Sequence, residues 1–223
     1  MITLVLEAST YAGSAALING SKLLAERAVA MRGREHEALM PAVAEVLELS
    51  GLRVRDVQRV VCGAGPGSFT SLRIAGAIGK GIAMAGSLPL VPVSSLALLV
   101  ASREPFDPGP GKFIAVVDAM RGERYVQTFA VDAAGRMTTS GALRLLLASD
   151  VAAIALADGA KVLGPGEQGE HQVVPRAGAA ARIINMIDEN APSEIGPWEP
   201  GYGRLAEAQV KWEAEHGRPL LPG

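Results

Sequence analysis

The run Val60-Val61-Cys62 passes without a break into Gly63-Ala64-Gly65-Pro66-Gly67, and the residues that follow, Ser68-Phe69-Thr70-Ser71-Leu72-Arg73, open a stretch of helical spacing. An apolar strand entering a glycine and proline turn that launches a helix is a βα unit, which commits this part of the chain to an α/β fold. Glycines admit backbone conformations closed to other residues, and Ser68 or Thr70 is placed to cap the first amides of the helix. The turn is not a Walker loop. The spacing G-x-x-x-x-G-K-[ST] is missing, no lysine follows the last glycine, and a dinucleotide fingerprint starting at Gly63 and Gly65 would need glycine where Ser68 stands. Gly65, Pro66, Gly67, Ser68 and Phe69 therefore read as a structural loop.

Around this unit the order of elements is βββαβαβα. Ile2 to Leu6, Ser14 to Ile18 and Lys22 to Ala30 read as strands, the last two joined by a hairpin at Asn19-Gly20. From Glu35 to Ser50, Leu39, Val43, Val46 and Leu47 recur at helical spacing, with Gly51 as a stop. Val57 to Cys62 is a strand, Thr70 to Ala85 a helix, Leu90 to Val93 a strand, and Ser94-Ser95 caps a further helix ending near Ser102. Arg103 to Gly111 holds three prolines and two glycines in nine residues and is the best candidate boundary. It divides the chain into a first lobe, 1–104, and a second, reduced lobe, 112–223.

After the boundary the pattern restarts. Phe113 to Val117 repeats the apolar run of Ile2 to Leu6, and each run ends in a carboxylate followed by alanine: Glu7-Ala8 and Asp118-Ala119. Strands then fit Arg124 to Val131 and Arg136 to Leu143, and helices fit Gly178 to Asn190 and Leu205 to Glu215. The arrangement suggests an internal duplication of a βββαβα core, with the last helix packing back on the first lobe.

The chain has 223 residues, of which 49% are apolar, enough for a substantial core, and its formal charge of -2 gives no footprint for tight independent binding to nucleic acid. One cysteine, Cys62, excludes an internal disulfide and a cysteine zinc cluster. The chain opens with no basic-then-apolar leader and contains no apolar run of about 18 residues, so a soluble, cytoplasmic protein without membrane contact is expected.

Three histidines, His36, His171 and His216, stand apart with no pair at metal-binding spacing, and the G-x-S-x-G nucleophile elbow is absent. No catalytic residue and no metal site are assigned. Glu7 and Asp118 end equivalent strands and could hold a cation between lobes, but a turn or capping role is the simpler assignment. The helix from Thr70 to Ala85 is rich in small residues, which cost helix propensity, about 1 kcal/mol for each glycine relative to alanine. Close internal packing and an intermolecular helix pair both account for them.

Three segments together, Leu4-Val5-Leu6-Glu7-Ala8-Ser9-Thr10, Gly65-Pro66-Gly67-Ser68-Phe69-Thr70-Ser71-Leu72-Arg73-Ile74 and Val117-Asp118-Ala119-Met120-Arg121-Gly122-Glu123-Arg124-Tyr125, resemble the TsaB (YeaZ) family in sequence, order and separation. His36-Glu37 with Leu39-Met40-Pro41, Val91 to Leu96, and Pro200 to Ala208 extend the resemblance over nearly the whole chain. It implies a two-lobed actin-like fold (the sugar-kinase and Hsp70 type, RNase H-like). It also implies a non-catalytic partner of a TsaD-type transferase in threonylcarbamoylation of the adenosine beside the anticodon of tRNA, with a TsaE-type ATPase joining the pair.

The partner surface it implies runs along the first lobe's helices, through His36, Leu39, Met40, Val43, Leu47, Thr70, Arg73, Ala77 and Gly81; alone, the chain would pair with itself there. Glu7, Asp118 and Arg121 are the candidate residual site. No cofactor of its own is expected, ATP and a metal ion belonging to the partner subunits, and tRNA is reached through the complex. The alternative is an actin-fold nucleotide-binding kinase or ATPase. A peptidase lacks a nucleophile-base pair. The chain departs from the family pattern at Glu7, where aspartate is usual, and at Ser71 and Ala75-Gly76.

Overall fold

The computed structural model describes residues 1–31, 37–103, 109–202 and 216–217. Its first sheet contains β1 (Ile2–Glu7), β2 (Ala12–Asn19), β3 (Lys22–Ala30), β4 (Arg59–Gly63) and β5 (Leu90–Val93) in the order β3-β2-β1-β4-β5. β2 runs antiparallel to β1 and β3, while β4 runs parallel to β1 and β5. The hairpin loop is Gly20-Ser21, with Asn19 still paired to Lys22.

Successive β1 residues point to opposite faces, and both faces are covered. Leu4 and Leu6 lie under α1 (Leu39–Ser50) and α2 (Phe69–Gly86), whereas Val5 shares a core with α3 (Ser95–Ala101) and the second sheet. That explains why this strand is apolar without alternation.

α1 starts later than Glu35. Pro41 falls in its first turn, where a missing N–H costs nothing, and the Glu37 carboxylate accepts hydrogen bonds from the Leu39 and Met40 amides. It stops as expected at Gly51, left-handed at φ 66°, with the Leu52 amide donating to Leu47 O at 3.0 Å. His36 and most of Arg103 to Gly111 lie outside the described residues, as does the expected helix Leu205 to Glu215.

The second sheet repeats the first. β6 (Gly111–Asp118), β7 (Glu123–Val131), β8 (Met137–Thr139), β10 (Lys161–Gly164) and β11 (His171–Gln172) run in the order β11-β10-β6-β7-β8, with β9 (Arg144–Leu147) paired to the other end of β7. β7 is antiparallel to β6, and β10 is parallel to β6 and β11, as β2 and β4 are in the first sheet. The chain is a duplicated, two-lobed actin-like fold.

Several elements differ from the sequence expectation. The strand expected over Arg136 to Leu143 is only the short β8, with β9 following beyond it, because the chain bends where the Ser140 amide donates to Thr128 O and the Gln127 side chain to Gly141 O. α4 (Ala148–Asp158) is apolar nearly all round, so it shows no stripe to read, and β10 and β11 are too short for a period to emerge. The helix expected over Gly178 to Asn190 is a 3-10 segment, Ala177–Ile183, followed by α5 (Ile184–Glu189).

The division at residue 112 assigns 177–202 to the second lobe, yet these residues bond to the first sheet. The Ala177 amide donates to Ser14 Oγ at 2.8 Å, the Gly178 amide to Glu26 at 2.8 Å, and Arg59, buried in β4, pairs with Asp188 at 2.6 Å. One apolar cluster joins the lobes, holding Val5, Val61 and Val93 together with Phe113, Val117 and Phe129.

Candidate functional site

The glycine turn after β4 is held from both sides. The Ala64 amide donates to Val93 O (2.8 Å), the Gly65 amide to Ser95 Oγ (3.1 Å), the Ser95 amide to Gly65 O (3.0 Å) and the Ser68 amide to Ser9 O (2.7 Å). Gly65 has φ +84°, and a Cβ on it would lie 2.4 Å from Gly201 O, so both backbone and space demand glycine. The Gly65-Pro66 peptide is cis. Ser68 occupies the N-cap position of α2, but its hydroxyl meets Ser71 Oγ at 3.0 Å and caps no amide. Thr70 lies inside the helix and is exposed. The expected capping is therefore made by neither residue. Ser94 does cap α3, accepting from the Ala97 amide at 3.4 Å.

Glu7 lies beside this turn and is fully buried. Its Oε1 accepts from the Ser9 amide at 2.6 Å and its Oε2 from the Ser95 hydroxyl at 2.8 Å. Burial pushes its carboxyl above the ordinary range, against the lowering effect of the Ser9 and Ser95 hydrogen bonds. Burial and the Glu7 charge together push the adjacent Cys62 thiol far up, which leaves it inert.

Asp118 also accepts an amide two residues on, from Met120 at 3.2 Å, but its other partner is Arg124 at 2.6 Å and it is 37% exposed. The two carboxylates thus have separate partner sets. Arg121 is exposed in a turn where Met120, Arg121 and Gly122 all have positive φ. The donors around Glu7 do not fit a cation site: both oxygens are engaged, and a Cβ on the facing Gly63 would already lie 2.0 Å from Oε2. Among the described residues no group of three or more His, Cys, Asp or Glu side chains could hold a metal ion.

α1 and α2 cover the same face of the first sheet, and their outer sides face solvent. Thr70, Arg73, Ala77 and Gly81 form one exposed stripe along α2, while Met40, Leu49 and Met84 are exposed large apolar residues of the two helices. Leu39 and Val43 are buried in the chain's own core and Leu47 packs partly against it, so internal packing occupies these three of the expected surface.

The small residues of α2 divide between two tasks. A Cβ on Gly76 would meet Pro200 and Trp198 at 3.3 and 3.5 Å, and one on Gly79 would meet Leu6, Val60 and Leu90, whereas one on Gly81 would meet nothing within 4 Å. Gly76 and Gly79 serve internal packing; Ala77 and Gly81 face outward.

The partner of Gly76 is a strap that sequence reasoning missed. From Asn190 to Tyr202 the chain returns across the first lobe. The Ser193 amide donates to Leu90 O at 2.9 Å, Lys80 Nζ donates to the carbonyls of Gly196 and Trp198 at 2.8 and 3.0 Å, and the Gly201 amide donates to Ala64 O at 2.7 Å. Tyr202 packs on Phe69 at 4.5 Å between centroids, Arg73 sits 5.3 Å from that ring, and the Tyr125 hydroxyl donates to Tyr202 O at 3.2 Å.

The family model described as TsaD: tRNA N6-adenosine threonylcarbamoyltransferase matches residues 30–171. The chain belongs to the TsaD family. The tRNA threonylcarbamoyladenosine biosynthesis protein TsaB of Bacillus subtilis is 26% identical over 232 residues, covering 95% of this chain and 98% of that protein. TsaB of Escherichia coli K12 is 33% identical over 136 residues, covering 60% of this chain and 58% of that protein. The solved structure of YeaZ from Pseudomonas aeruginosa superposes with a TM-score of 0.74 at 25% identity, over 90% of this chain and 99% of that one.

Proposed function

We propose that the chain is a non-catalytic partner that stabilises and activates a TsaD-type transferase in threonylcarbamoylation of the adenosine beside the anticodon of tRNA. It works in the cytoplasm without turnover of its own, and a TsaE-type ATPase joins the assembly. ATP and a metal ion are held by those subunits, and tRNA is met through the complex, consistent with the chain's formal charge of -2. In the absence of the transferase the same surface forms a homodimer.

The observation that carries this reading is the outward stripe of Thr70, Arg73, Ala77 and Gly81 on α2, with large apolar Met84 also exposed on that helix and Met40 and Leu49 exposed on α1. Small side chains let a second helix approach closely, and the neighbouring apolar residues supply area for burial. Glu7 supports the same reading, since its oxygens are committed to Ser9 and Ser95 and are not offered to a ligand.

The test is reconstitution of modification from the chain, its own organism's transferase and ATPase, tRNA and threonylcarbamoyl-adenylate. Modification should fall strongly when the chain is omitted or carries Ala77→Arg. Equal modification without it would overturn the assignment, and ATP turnover by the chain alone that is lost on Glu7→Ala would reinstate the kinase alternative.

A further inference from the structure

The start of α2 depends on a carboxylate that is not part of the helix. Its backbone is anchored by the Ser68 amide on Ser9 O at 2.7 Å, and the preceding turn by Gly65, whose amide and carbonyl both bond to Ser95 at 3.1 and 3.0 Å. Ser9 follows β1, and Ser95 opens α3. The two are linked by one side chain, Glu7, through the Ser9 amide at 2.6 Å and the Ser95 hydroxyl at 2.8 Å.

We propose that Glu7 is the positioning residue of the docking helix, and that Gly63 is glycine because residue 7 is glutamate. This rests on reading α1 and α2 as the docking face. Burying a carboxylate is unfavourable unless hydrogen bonds offset it, so a fully buried Glu7 is kept for what it holds. Its length matters. Aspartate would draw the carboxylate back by about 1.5 Å, one carbon–carbon bond, and could not span both serines. The longer side chain in turn fills the space beside β4. A Cβ on Gly63 would lie 2.0 Å from Glu7 Oε2, 2.9 Å from its Cδ and 3.1 Å from Ser95 Oγ.

The experiment compares the wild-type chain, Glu7→Asp, Gly63→Ala and the double variant by amide exchange in NMR and by titration against the transferase. An Ile114→Val variant, buried in the second lobe away from α1 and α2, serves as control for general loss of stability. With Glu7→Asp, protection of the Gly65 and Ser68 amides should fall at least about tenfold, as expected when a buried polar partner is left unsatisfied, with Val5 and Leu17 little changed. Transferase affinity should fall about tenfold as well, and Ile114→Val should leave it unchanged. Gly63→Ala should weaken affinity strongly beside Glu7 and far less beside Asp at position 7, a non-additive cycle.

Additive effects, or lost protection with unchanged affinity, would overturn the proposal. The docking reading fails separately. If Ala77→Arg leaves transferase affinity unchanged, that face is wrong, while amide exchange across the four chains still decides whether Glu7 and Gly63 hold the turn.

Discussion

In the first lobe the carboxylate that ends β1 is fully buried; in the second, the one that ends β6 is 37% exposed and paired with Arg124. The strand order around them is the same, and each accepts the amide two residues further on. What differs is the cover. α1, α2, α3 and the second sheet enclose both faces of the first sheet, whereas β9, on the second, leaves Leu145 and Leu147 at 42% and 54% exposure. A shared topological position therefore fixes the local turn, and the packing around it decides whether the charge organises a core or decorates a surface.

The largest effect that could break this contrast is Glu7→Ala. It strands the Ser9 amide and the Ser95 hydroxyl in the core and opens a cavity, which should cost about 2–4 kcal/mol. Differential scanning calorimetry should show a melting temperature lower by roughly 5–15 °C for a chain of this size. A loss of only a degree or two would mean that the buried carboxylate organises nothing.

Next in size is a contrast within α2. Gly76→Leu drives a side chain into Pro200 and Trp198 and should destabilise by about 1–3 kcal/mol, whereas Ala77→Leu, one residue on, should stay within about 0.5 kcal/mol because it points to solvent. Urea unfolding of both variants checks this. Equal losses would show that the inward and outward halves of the small-residue stripe are not distinct.

The first lobe was legible in the sequence because its signals are strong and local. The apolar runs of β1 and β4, Gly51 as a stop and the Ser94 cap each act within a few residues. The second lobe was less so. α4 has no polar face to set a period, and β11 is two residues long, existing only through its pairing with β10. At the site, Glu7, Asp118 and the glycine turn could be named in advance. That Ser95 completes Glu7's bonding, or that Lys80 ties down a strap from Gly196 and Trp198, depends on pairs 88, 116 and 118 residues apart, which no local pattern encodes.

A smaller effect separates the lobes by pH. The Glu7 carboxyl is raised above its ordinary 4.5, so the folded state keeps a proton that the unfolded state releases. Its contribution to stability is fully present below about 4.5 and declines as pH rises through the raised value. Asp132, in the second lobe, is lowered from 3.8 by the Arg136 amide and side chain, so its contribution is present above that value and lost as pH falls through the lowered one. Urea midpoints measured from pH 3 to 8 should show Glu7→Gln removing a decline with rising pH. Asp132→Asn should instead remove a gain. The same sign for both would contradict the buried and exposed assignments.

The smallest effect is expected for Asp118→Ala. It breaks a 2.6 Å pair with Arg124, but the two side chains are 37% and 21% exposed, so water and salt compete for both charges. The loss should be at most about 1 kcal/mol, and it should shrink toward zero in 1 M salt, where the screening length is about 3 Å. Because Asp118 and Glu7 share the same turn geometry, this variant measures the value of that local device with little burial added. If Asp118→Ala were as costly as Glu7→Ala and insensitive to salt, the turn itself would be the source of stability in both lobes, and the difference in cover would explain neither.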